Sequence, residues 1–186
     1  MEERGRALEE AFFKKQHSKQ LEKLRQQQER EEARQALVEA SGIDDTDLIE
    51  RLLSIGIHAE TLAALTLIPL VEVAWADGHV DAREQEAIQK GAESTGLEPG
   101  SPSHELLRIW MRDRPAPDMM KSWQQYITAL CAELSADQKL RLEERIIGHA
   151  RAVAEAAGGF LGLGSKVSAK EEAVLQELQR AFHAAA

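Results

Sequence analysis

The chain has 186 residues, 43% of them hydrophobic, enough for one compact core of ordinary size with a segment left outside it. Its single cysteine, Cys131, rules out an intrachain disulfide and a Cys-rich zinc site, and makes a reducing, cytoplasmic setting the expectation. The formal net charge of −9 falls wholly on residues 41–186, because residues 1–40 balance nine Lys/Arg against nine Asp/Glu; an acidic domain behind a neutral arm lacks the basic stripe that phosphate backbones require, so nucleic-acid binding is not expected.

The first element is a long charged helix over residues 1–40. From Glu2 to about Ala40 there is no proline, the only glycine is Gly5, and Ala, Leu, Glu, Lys, Gln and Arg dominate, the composition of a helix that forms without help from packing. Its apolar residues gather at the ends, with Leu21 and Leu24 between them, and only Ala33 is apolar from Gln26 to Gln35. A continuous heptad seam is therefore missing, and the helix is expected to dock at patches and cross solvent between them. The chain opens on charge at Glu2, Glu3 and Arg4, and no run approaches the roughly 20 apolar residues that span a bilayer, so neither export nor a membrane span is expected.

After Ser41-Gly42 the pattern changes to short punctuated helices, an all-α domain over residues 41–186 built as one bundle of about seven. Asp44 or Asp45 can cap a helix carrying Leu48, Ile49, Leu52 and Leu53, closed by Gly56. The next helix is expected from about Ala59 to Ala76, apolar on nearly every side and therefore central, with a kink at Pro69, which has no N–H for the carbonyl of Leu65. A helix from Asp81 to about Thr95 stops at Gly96, and Ser101-Pro102 opens one with Leu106, Leu107, Ile109, Trp110 and Met111. Pro115 and Pro117 interrupt the chain before a helix carrying Met119, Trp123, Tyr126, Ile127 and Leu130. Ser135 with Gln138 and Ser168 with Glu171 read as capping boxes for the last two helices, separated by the glycine-rich stretch 158–165, where Phe160 and Leu163 are expected to fold over the core.

The stretch with most chemical content is Val73-Ala74-Trp75-Ala76-Asp77-Gly78-His79-Val80-Asp81-Ala82-Arg83-Glu84. Three carboxylates, Asp77, Asp81 and Glu84, surround a glycine turn and could offer oxygens to a hard divalent cation, calcium or magnesium. The same residues also read as a cap, with Asp81 and Glu84 forming a capping box and Asp77 bonding the turn's own backbone. Three oxygens fall short of calcium's usual six to eight, which favours the cap.

A buried helix ending in Ala-Asp-Gly, a hydrophobic residue, then Asp-x-x-Glu opening the next helix resembles the signature of the TerB-like (tellurite resistance) family. The resemblance covers most of residues 58–183. It implies an all-helical domain, a metal site at Asp77, Asp81 and Glu84, and a link to tellurite or other stress responses. Such domains often carry the signature twice; here the second copy is Gly164-Ser165-Lys166-Val167-Ser168-Ala169-Lys170-Glu171, where Val167 and Glu171 match Val80 and Glu84, while Gly164 and Ser168 replace Asp77 and Asp81. The segment Glu3 to Phe13 is similar to the opening helix of small bacterial inhibitors of the rotary ATPase.

Catalytic patterns are missing. The six histidines are scattered with no i, i+4 pair, and neither a P-loop, a G-x-S-x-G elbow nor a dinucleotide fingerprint occurs. Cys131, Trp75, Trp110 and Trp123 fall in apolar helical stripes and read as core. The expectation is a non-enzymatic binding or scaffold protein that meets a protein partner, or a second copy of itself, through the N-terminal helix; the alternative is a regulator of an ATPase acting through that helix.

Overall fold

The computed structural model describes residues 2–157 and 167–184, with side chains described from Lys15 onward. It is all-α: α1 (Glu2–Ser41), α2 (Thr46–Ser54), α3 (Leu62–Leu65), α4 (Ile68–Ala74), α5 (Ala82–Ser94), α6 (Pro102–Arg112), α7 (Asp118–Ala132), α8 (Ala136–Ala157) and α9 (Ala169–His183), with 3-10 turns at Ala59–Thr61 and Trp75–Asp77. No strand occurs among the described residues.

The caps form where short-range chemistry places them. The Asp45 carboxylate accepts the Leu48 N–H at 3.0 Å to start α2, and the Ser101 hydroxyl accepts the His104 N–H at 3.2 Å to start α6. Ser135 and Gln138 bond reciprocally at the head of α8.

The expected continuous helix over Ala59–Ala76 is not one helix. It divides at Thr66-Leu67 into two pieces bent by 47°, and α4 restarts with Pro69 as its second residue. The reason is the missing N–H: inside a continuous helix Pro69 would deprive the Leu65 carbonyl, whereas in a first turn the amide would be unbonded anyway. The division also raises the number of helices after the arm from about seven to eight among the described residues.

All seven residues of α4 are buried, including Glu72. It packs against α5, α7, α8 and α9, which makes it the centre of the bundle. Gly91 lets α5 come close: a Cβ there would stand 2.6 Å from Leu70 Cδ2. The Trp123 and Phe182 rings meet edge to face at 6.0 Å, tying α7 to α9. No single helix among the described residues is long and apolar enough to cross a membrane, and the bent pair that approaches the requirement is this buried core.

Among the residues whose side chains are described, the arm docks only at its C-terminal end. Leu37 is completely buried, and α1 touches α2, α3 and the Ala59–Thr61 turn there. From Lys15 to Glu32 every residue is exposed, Leu21 and Leu24 at 54% and 61%. The expected docking patch at Leu21 and Leu24 is thus not used within the chain, since an unbroken helix leaving the bundle cannot bring them back to it.

Candidate functional site

The turn between α4 and α5 is held by its own backbone. Gly78, at φ 106, takes the left-handed conformation that a side chain would oppose, and its N–H bonds the Trp75 carbonyl at 3.0 Å. The Trp75 indole N–H donates to the Trp110 carbonyl at 2.8 Å, which fixes the end of α4 against α6.

Each of the three predicted carboxylates is engaged by this local structure. Asp77 Oδ1 accepts the His79 N–H at 3.2 Å and lies 3.1 Å from His79 Nδ1. Asp81 Oδ1 accepts the N–H groups of Arg83 at 2.7 Å and Glu84 at 2.9 Å, and Glu84 Oε2 accepts the Asp81 N–H at 2.8 Å. That is a complete capping box. Among the described residues no group of three or more His, Cys, Asp or Glu side chains is placed to hold a metal ion. Calcium takes six to eight oxygens and magnesium a strict octahedron. Oxygens aimed at separate backbone amides do not fit either shell.

The second signature is also a cap. The Ser168 N–H donates to Glu171 Oε2 at 2.6 Å and the Ser168 hydroxyl accepts the Glu171 N–H at 3.3 Å. Val80 and Val167 both pack half-buried against the core. The fold brings the two boxes together, because α9 packs on the Trp75–Asp77 turn. Glu84 and Glu171 are both buried, and the charge of Glu171 is felt at Glu84. Burial, the largest influence, lifts the Glu84 carboxyl to about 7; the hydrogen bond from Asp81 opposes this, and the negative charges of Asp81, Asp77 and Glu171 add to it. The residues 158–166, with the expected Phe160 and Leu163 contacts, lie outside the described ones.

Sequence reading missed Glu72. It is the one acid in the apolar run Ile68–Ala74, and only 8% of it is exposed. Burial raises its carboxyl above the ordinary range, while the Arg114 guanidinium, 3.5 Å away in the link between α6 and α7, pulls it back. The available signal was an unpaired acid on a helix otherwise read as buried on all sides. Cys131 is fully buried, and burial pushes its thiol up, which fits a small core residue.

A different feature emerges along the arm. Between Lys15 and Arg25 four cations, Lys15, Lys19, Lys23 and Arg25, accompany a single acid, Glu22, so a helix that is neutral over residues 1–40 carries a basic stretch there. Among the described residues, Lys15, Lys19 and Lys23 make no ion pair, while Arg25 bonds Glu29 at 2.9 Å. No protein-family model, curated protein or solved structure matches the chain.

Proposed function

We propose that the protein is a non-enzymatic, TerB-like binding protein whose N-terminal helix recruits a protein partner while the helical domain serves as its base. The observation that carries this reading is the exposure of every residue from Lys15 to Glu32 on a helix anchored by the fully buried Leu37. A long helix that no part of its own domain covers presents backbone-satisfied, preordered surface, the form in which helices enter partner grooves. The capping-box signature supports the TerB-like part of the reading, and with it the link to tellurite and other stress responses. The engagement of all three turn carboxylates by their own backbone and neighbours favours binding over catalysis at that turn.

The test is a truncation placed by the structure. Removing residues 1–29 keeps Arg30, which pairs with Glu50, and keeps Leu37 in the core. The shortened protein is expected to hold the helix content and melting temperature of the remaining domain and to lose the partners that the full chain captures. Equal capture by the shortened protein would place recognition on the domain instead.

A further inference from the structure

The break that Pro69 imposes between α3 and α4 has a second consequence. Its two residues, Thr66 and Leu67, both line a half-enclosed pocket of about 450 Å³. The walls converge from the chain before the break, α4, the link from α5 into α6, α7 and α8. Leu67, Leu70, Ile127 and Ile146 supply apolar lining, and all four are buried. The volume falls in the range of small-molecule sites, roughly 300 to 1,000 Å³, which combine apolar walls with a few polar groups.

Most of the polar lining is already committed. Thr66, Thr95 and Ser103 donate their hydroxyl protons to the carbonyls of Ala63, Ala92 and Glu60 at 2.7, 2.7 and 2.9 Å. The Ser101 hydroxyl caps α6. Ser94 gives its proton to the Gly91 carbonyl at 2.7 Å, which leaves its oxygen to accept His149 Nε2–H at 3.1 Å. Three lining side chains are uncommitted: Glu60, Glu98 and Arg145 are exposed and, among the described residues, make neither an ion pair nor a side-chain hydrogen bond. Neither carboxylate reaches the guanidinium, so charges of opposite sign stand apart around one apolar space.

That distribution separates ligand classes. An anionic amphiphile such as a fatty acid would satisfy Arg145 and be opposed by two carboxylates. A simple amine would satisfy the carboxylates and be opposed by Arg145, and a wholly apolar molecule would use none of the three. A zwitterion with an apolar body uses them all. Because the opposite charges stand apart, those of the ligand must too. The termini of an extended dipeptide lie about 7 Å apart, at about 3.5 Å per residue, whereas in a free amino acid both charged groups sit on one carbon.

We propose that the pocket at the α3–α4 break binds a short apolar peptide with both termini free, its carboxylate on Arg145, its ammonium on Glu60 or Glu98, and its side chains against Leu67, Leu70, Ile127 and Ile146. The site belongs to the helical domain and stands independently of the arm and of what the arm recruits. Since its charged groups are exposed, binding weakens as salt is raised.

Calorimetric titration of the full-length chain with leucyl-leucine, its N-acetyl form, its C-terminal amide and free leucine tests the proposal. Methyl NMR locates the site through Leu67, Leu130 and Leu142, which all line the pocket. Leucyl-leucine should bind saturably and shift those methyls, and blocking either end or using free leucine should weaken binding by about three- to tenfold. Two variants assign the ends, and circular dichroism checks that each remains helical. Arg145→Gln should no longer distinguish leucyl-leucine from its amide, while Glu60→Gln with Glu98→Gln should no longer distinguish it from the N-acetyl form. Lack of saturable binding at millimolar peptide overturns the proposal, as do methyl shifts confined to another part of the bundle. Tighter binding of the amide would make the pocket a cation site, tighter binding of the N-acetyl form an anion site, and equal binding of all the peptides a purely apolar one; each of these overturns it.

Discussion

At Glu84, burial lifts the carboxyl to about 7 from an ordinary value of 4.5, against the hydrogen bond from Asp81. The sign of the consequence follows from proton uptake. The unfolded chain releases this proton near 4.5 and the folded one only near 7, so the native state binds the extra proton between them and loses stability as pH rises through that window. Below about 4.5 both states are protonated, so the stability associated with the retained proton is fully present and no longer varies with pH. Glu84→Gln keeps an acceptor for the Asp81 N–H and removes the charge. Its melting temperature is expected to fall less than that of the wild type between about pH 5 and about pH 8. An equal fall in both proteins would show that Glu84 ionises freely. The reciprocal bonding of Asp81 and Glu84 was legible in the sequence because a capping box is a matter of three residues' spacing. The proximity of Glu171 was not, since it depends on how α9 lies across the Trp75–Asp77 turn. Glu72 was illegible for a similar reason: its depth is set by four surrounding helices, and its counter-charge comes from a link far along the chain.

Among the elements, the boundaries set by Asp45, Gly56, Asp81, Gly96, Ser101 and Ser168 agree closely with their sequence signals, because caps and left-handed glycines are local necessities. The division at Thr66-Leu67 was expected as a kink, with the right cause and the wrong outcome. A proline four residues after Leu65 can either distort a helix or begin another, and the bundle selects the second. Packing of α5 on α4 has an equally specific demand. Gly91→Ala would drive a Cβ to within 2.6 Å of Leu70 Cδ2 in a filled core, and a loss of about 1–3 kcal/mol on chemical denaturation is expected. A neutral or stabilising result, as an exposed helical Gly→Ala would give, would mean that Leu70 has room to turn aside.

For the molecule as a whole, the described part of the arm meets the bundle near its C-terminal end, and among its described residues Leu37 is the one fully buried there. Leu37→Ala is expected to lower domain stability by about 2–5 kcal/mol, even though its neighbours on the arm are largely exposed. An unchanged denaturation midpoint would mean that α1 is not part of the cooperative unit. Composition revealed the arm readily, for a run without proline and rich in helix formers has few alternatives. It did not reveal that Leu21 and Leu24 are left bare, because apolar residues announce that they favour a contact and say nothing about which surface supplies it.

The one-ended docking of α1 also fixes how its helix is sustained. Starting an isolated helix is unfavourable by a factor of about a thousand, whereas each added residue in a good sequence is close to neutral. Leu37 and its surroundings supply that nucleus permanently, so the exposed turns need only propagate outward from it. Their order therefore declines with distance from the bundle. A partner that grips the arm at Lys15–Arg25 caps the propagating segment from its far side and stabilises every turn between itself and the bundle. Binding at the remote end is thereby transmitted along the backbone as helix content, without any movement of the core.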